Sequence, residues 1–206
     1  MLRFARELKE LLTRTGAFTV VMTRDDDIFV PLEARISIAR AMDADVFISL
    51  HADALAEGEA AGAVIYTLSQ EASEDAAASL AERHDRDDLL AGVDLTGQDD
   101  LVAAVLMDLA RMETMPRTER LAAALEEAIQ TADLKMHRVP RQAAGFSVLK
   151  SPDIPSVLIE LGFLSSARDL ARLSDAKWRA RMAEAIRNAL LIWAQEDAAL
   201  RMLRQR

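Results

Sequence analysis

Two side chains stand where a reaction would need them. The run Val46 to Leu50 in DADVFISLHADA has the length and apolar character of a strand in an internal parallel sheet, and it ends on His51. A second run, Ser156 to Leu161 in SPDIPSVLIELGFLSS, follows Pro155 and carries Glu160 at its end. In open α/β sheets, functional groups collect just beyond the carboxyl ends of the strands. Parallel neighbours would therefore bring an imidazole and a carboxylate to one place, a pairing suited to metal ligation and to general acid–base work. Taken from the residues alone, His51 also reads as a hydrogen-bonded histidine at the end of a core strand. Glu160 is harder to set aside, because a carboxylate inside SVLIELGFL is seldom fully buried without a partner. His84 and His137 fall in polar segments and read as solvated surface residues.

The elements that must position these groups alternate. MLRFARELKELL has Phe4, Leu8, Leu11 and Leu12 at helical spacing and stops at TRTG, where Gly16 suits a C-terminal cap. FTVVMT, 18–23, reads as a strand, RDDD as a polar loop, and Pro31 as the opening of a helix through about Met42. GAVIYTL, 62–68, is another strand. From Ser69 the chain turns acidic and Ala-rich, with helices expected over about 70–84 and 98–113, the second carrying a stripe of Leu101, Val102, Val105, Leu106, Leu109 and Met112 able to dock. A further helix is expected over about 118–132, then a loop through HRVPRQAAG and a short strand near FSVLK. Trp178, Met182, Ile186, Ala189 and Trp193 mark a long terminal helix packed on the sheet. Such alternation predicts one α/β domain of three layers, a mostly parallel sheet flanked by helices.

Composition narrows the chemistry. At 206 residues and 51% hydrophobic the chain can bury one sizeable core, and few glycines and prolines make it helix-rich. With no cysteine, any metal must be held by His, Asp or Glu. A net charge of -9 argues against nucleic-acid binding, which rests on neutralising phosphates. Residues 70–113 hold twelve acidic residues against three arginines, a balance of -9 that equals the whole excess. The first residues read as neither a signal peptide nor a membrane span. There is no Gly-rich phosphate loop, no G-x-S-x-G and no H-E-x-x-H, so phosphoryl transfer, serine hydrolysis and the common zinc-protease signature find no support.

VVMTRDDDIFVPLEARISIARAMDADVFISLHADA, with RQAAGFSVLKSPDIPSVLIELGFLSS far downstream, resembles the zinc-dependent N-acetylmuramoyl-L-alanine amidases over nearly the whole chain. TRDDD with LEAR, SLHAD and IELGFLSS together make the likeness specific. The resemblance implies that His51 is a Zn2+ ligand and Glu160 the catalytic acid/base. Zinc would acidify a water and polarise the amide carbonyl, while the carboxylate takes the water's proton and passes it to the departing amine. The implied reaction cleaves the bond between N-acetylmuramic acid and L-alanine in peptidoglycan, for cell-wall remodelling and daughter-cell separation, in the periplasm or outside the cell.

Two further zinc ligands of that family, a histidine in a Gly-rich turn and a glutamate, precede its counterpart of the opening helix. The resemblance therefore predicts a catalytic domain, 1–206, lacking its first strand, with Met1 an internal start of a longer reading frame or the chain a fragment or degenerate form. His51 alone would hold zinc weakly. A murein-binding or regulatory module without catalysis is the rival reading. The acidic stretch 70–114 resembles the helical regulatory insert of the cell-separation amidases, which covers the zinc until a LytM-type activator displaces it. Glu82 and Glu113 are the carboxylates nominated to block the metal.

Overall fold

The computed structural model of the 206-residue chain describes residues 1–54, 61–69, 77–78, 80–81 and 101–204, with side chains described outside 101–110 and 204. Its elements run α1 (Leu2–Arg14), α2 (Leu32–Ala41), β1 (Phe47–His51), β2 (Ala63–Leu68), α3 (Leu101–Thr131), β3 (Met136–Ala144), a 3-10 turn (Ser147–Leu149), β4 (Ser156–Glu160), α4 (Ala167–Ser174) and α5 (Ala176–Arg204). The sheet order is β1-β4-β2-β3, with β1/β4 and β2/β3 parallel and β2/β4 antiparallel. The expected three-layer, mostly parallel α/β architecture is what forms.

Strand periodicity divides the core. Ile65, Val157 and Ile159 face a layer of α1, α3 and α5, through Phe4, Leu8, Leu125, Met182, Ile186 and Trp193. The alternate residues Phe47, Val64, Tyr66 and Leu158 face Leu32 and Ala39 of α2, Phe146, Val148, and the helical residues Ala77, Leu80 and Ala81. Central β4 is buried along its length, whereas β1, the edge strand, is only half buried. Among the described residues, no helix is long and apolar enough to cross a membrane.

Four expectations fail for physical reasons. FTVVMT joins no strand: Phe18 to Thr23 lines one side of a cleft whose other side is β1, and β1 pairs with β4 alone among the described residues. HRVPRQAAG is strand β3, not loop. Pro140 is tolerated because β3 is an edge strand and because its pairing with β2 jumps from Ala63↔Met136 to Ile65↔Arg141, a bulge that absorbs the residues between. FSVLK forms the 3-10 turn, not a strand. The helices expected over 98–113 and 118–132 are one 31-residue helix, α3, running through Pro116.

Lateral anchors hold α3 across its proline. Arg117 donates from Nε and Nη2 to the two carboxylate oxygens of Asp197 on α5, each at 2.8 Å, and Arg120 approaches the same group at 3.5 Å. Trp193 Nε1 donates to the Arg117 carbonyl at 3.0 Å. The stripe expected to dock is exposed at its described member, Met112, and its other side chains lie outside the described set. Of the helix expected over 70–84, only 77–78 and 80–81 fall within the described residues.

Asp197 is 4% exposed, so Asp197→Ala strands two arginines and should cost about 3 kcal/mol or more in urea denaturation at pH 7. Arg40→Ala, which breaks the half-exposed pair with Asp153, should cost less than about 1 kcal/mol. Hydrogen bonds from Arg40 hold the Asp153 carboxyl below its usual range. The small contribution of that pair is therefore present above the unfolded carboxyl's pKa and lost as pH falls through the folded one.

Candidate metal centre

The register of the two site strands decides the geometry. β1 and β4 pair Phe47↔Ser156 through His51↔Glu160, so the histidine and the glutamate are direct neighbours. With a side-chain period of two, Phe47, Ser49 and His51 share a face with Leu158 and Glu160. Beyond the strand ends the backbones stay stitched: Leu161 N–H donates to the His51 carbonyl at 3.0 Å and Leu164 N–H to the Asp53 carbonyl at 2.7 Å.

That stitching brings in a third group. Asp53 donates its backbone N–H to Glu160 Oε2 at 3.2 Å, and its carboxylate lies 4.0 Å from His51 Nδ1. The other ring nitrogen, Nε2, is 3.0 Å from Ser49 Oγ, which fixes the ring and leaves Nδ1 facing the carboxylates. One ligand atom from each of His51, Asp53 and Glu160 lies within 4.8 Å of the others. Glu160 is fully buried, whereas His51 and Asp53 reach a cleft of about 900 Å3 that runs along β1 and is also lined by Phe18, Val20, Ile38 and Ala39. An imidazole nitrogen and the Asp53 carboxylate, both open to the cleft, are donors that suit zinc, with the Glu160 carboxylate beside them as a base rather than a ligand.

Of the residues nominated from sequence, His51 and Glu160 are brought together as the parallel-strand argument requires. Asp53 and Ser49 were missed, although both lie two residues from His51 in ISLHAD, the spacing that returns a strand side chain to the same face. His137 is half-buried, not solvated: its Nδ1 accepts from Val139 N–H at 3.2 Å within the β3 bulge. Glu82 and His84 lie outside the described residues. Glu113 is exposed on α3 and stands apart from the cluster. The next residue, Thr114, donates to the Pro152 carbonyl at 2.9 Å, ahead of the amino end of β4, while Glu160 closes the other end about 13 Å along the strand.

An α/β sandwich with imidazole and carboxylates gathered at the carboxyl ends of adjacent parallel strands defines a domain with a metal-type centre. Comparison with known proteins gives that class its family. The family profile described as N-acetylmuramoyl-L-alanine amidase matches residues 1–191, and the chain belongs to that family. It is 33% identical over 201 residues to N-acetylmuramoyl-L-alanine amidase AmiC of Escherichia coli, covering 97% of this chain and 48% of that protein. It is 35% identical over 192 residues to AmiA of Salmonella typhimurium, covering 93% of this chain and 66% of the relative. The chain thus spans from about half to two thirds of these relatives' lengths. The fold is shared with the CwlD amidase of Clostridioides difficile, solved in complex with the GerS lipoprotein, at a TM-score of 0.64 and 19% identity over 94% of this chain and 85% of that one.

Because Ser49 holds the ring, Ser49→Ala should leave the fold intact and weaken Zn2+ binding about ten-fold, as loss of a ligand's hydrogen-bond partner generally does. Calorimetric titration of wild type and variant with Zn2+ checks it.

Proposed function

We propose that this chain acts in zinc-dependent hydrolysis of the amide between N-acetylmuramic acid and L-alanine in peptidoglycan. The observation that carries the reading is the in-register His51↔Glu160 pair with Asp53 beside it. His51 and Asp53, the two members that reach the cleft, would hold the metal. Bound there, zinc supplies Lewis acidity, which polarises the scissile carbonyl and makes an attacking water more acidic. Glu160 takes the proton of that water and delivers it to the leaving amine of L-alanine. Its complete burial suits this role, since a carboxylate kept from bulk water and oriented by the Asp53 N–H is placed before substrate arrives. The cleft along β1 would admit the glycan–peptide.

The same reading extends to regulation and place. Cell-wall remodelling at daughter-cell separation, outside the cytoplasm, is where such a bond is met. An acidic segment beside a cation is a physically apt plug. Within 70–114, Glu82 and Glu113 are the carboxylates to consider, and Glu113 would have to travel with α3 to reach the metal from beyond the amino end of β4. An activator of LytM type, binding the released segment better than the docked one, would shift the population without supplying chemistry. The lipoprotein complex of the CwlD amidase is a precedent for a protein partner on this fold.

Dye release from labelled murein, with zinc content measured alongside, tests the roles. In a form supplied with the two further ligands that the resemblance implies, Glu160→Gln should abolish release yet retain zinc, whereas His51→Ala should lose both; equal zinc loss in the two variants would remove Glu160 from the acid/base role. For regulation, residues 82–100 are replaced with a Gly/Ser linker, sparing the buried Ala77, Leu80 and Ala81. Release without activator should then rise well above the intact chain. An unchanged rate in folded, zinc-loaded protein, both with and without Glu113→Gln added, would reduce the segment to a structural insertion.

A further inference from the structure

Asp169 is a buried acid that the reaction does not use. It lies in the first turn of α4 and is 1% exposed. Ser166 caps that helix, its Oγ accepting from the Asp169 N–H at 3.3 Å. A longer acid, Glu, three residues after such a cap ordinarily turns back to bond the N–H of the capping residue. Asp169 instead bonds elsewhere: Oδ2 accepts from Gly62 N–H at 2.8 Å and from Phe163 N–H at 3.1 Å, while Oδ1 accepts from Arg172 Nη1 at 2.8 Å.

The two amides belong to the chain segments that leave the metal centre. Phe163 follows Glu160 by three residues, and Gly62 closes the connection that departs β1 through His51 and Asp53. Both segments pack closely, Gly62 too closely for any side chain and Gly162 closely enough that an added Cβ would press on Asp169. A Cβ on Gly162 would lie 3.0 Å from Asp169 Cβ, and one on Gly62, at φ +95°, would lie 2.5 Å from the Met136 carbonyl carbon. From the clamped turn the path to the site is short, through the 2.7 Å bond of Leu164 N–H to the Asp53 carbonyl and the 3.2 Å bond of Asp53 N–H to Glu160 Oε2.

We infer that Asp169 is a positioning residue of the metal centre: by clamping Phe163 and Gly62 it fixes the turn after Glu160, and through that turn the separation of Asp53 from Glu160. The assignment rests on His51, Asp53 and Glu160 being the functional centre. It adds a residue that touches neither metal nor substrate. The Arg172 side chain, one third exposed, supplies the carboxylate's counter-charge from the surface.

The test uses the full 206-residue chain with two readouts, backbone amide exchange at Asp53 and Leu164 and Zn2+ affinity by calorimetry. Asp169→Asn preserves shape but removes the charge and one acceptor: whichever way the amide turns, its NH2 opposes a donor, either Arg172 Nη1 or the two backbone N–H groups, so one side of the clamp is lost. It should speed exchange at both amides and weaken Zn2+ binding, each about ten-fold. Asp197→Asn, in the α3–α5 contact, controls for stability and should leave both readouts unchanged at an equal or larger loss in Tm. Should Asp169→Asn not fold, Gly162→Ala presses on Asp169 with the carboxylate intact and should shift both readouts the same way. Local exchange and zinc affinity no different from the Asp197→Asn control, or from wild type in a folded Gly162→Ala, would overturn the assignment. Neither readout needs murein cleavage, so a failure of the hydrolase reading would show separately, as absent dye release with the Asp169 effects intact.

Discussion

Everything at the centre depends on the register of β1 against β4. A slip of one residue would send His51 to the opposite face of the sheet from Glu160. The register is held at both ends: Phe47 N–H donates to the Pro155 carbonyl at 2.9 Å, and Leu161 N–H to the His51 carbonyl at 3.0 Å. Packing enforces it between those points, because Val157 and Ile159 must enter one core and Leu158 the other. The apolar alternation that builds the two core faces thereby also aims the imidazole and the carboxylate.

That arrangement carries a cost the surroundings must offset. Glu160 is fully buried, and an ionised carboxylate out of water is penalised by several kcal/mol unless hydrogen-bonded. The Asp53 N–H returns about 1.5–3 kcal/mol, the usual worth of a hydrogen bond to a charged group, and a cation at the centre would offset much of the remainder. The site is thus arranged to hold charge beside charge. Helices α3 and α5, joined through Arg117, Asp197 and Trp193, give the sheet the rigid backing that such an arrangement needs.

The sequence disclosed what depends on local pattern. The strand ends at His51 and Glu160, the amphipathic α1 and the long α5 follow from spacing and apolar runs that the core simply uses. It concealed what depends on neighbours. FTVVMT has strand composition but no strand beside it, and VPRQ has loop composition yet pairs, because an edge strand can bulge around Pro140. The gap expected between 113 and 118 is instead helical through Pro116, because Arg117 and Trp193 tie the helix to α5. Asp53 was within reach of the i, i+2 rule, whereas Asp169 was not: its bonds to Gly62 and Phe163 join positions that nothing in the local pattern relates.

Under the proposed function His51 and Asp53 are the metal-holding pair, and Glu160 is left free to move a proton. The most direct test is an anomalous-difference map at the zinc edge from crystals of the chain soaked in Zn2+. A single strong peak is expected at about 2.0–2.2 Å from His51 Nδ1 and an Asp53 carboxylate oxygen, with Glu160 outside bonding distance. A peak bonded directly to Glu160, or zinc bound only away from the ends of β1 and β4, would contradict that assignment.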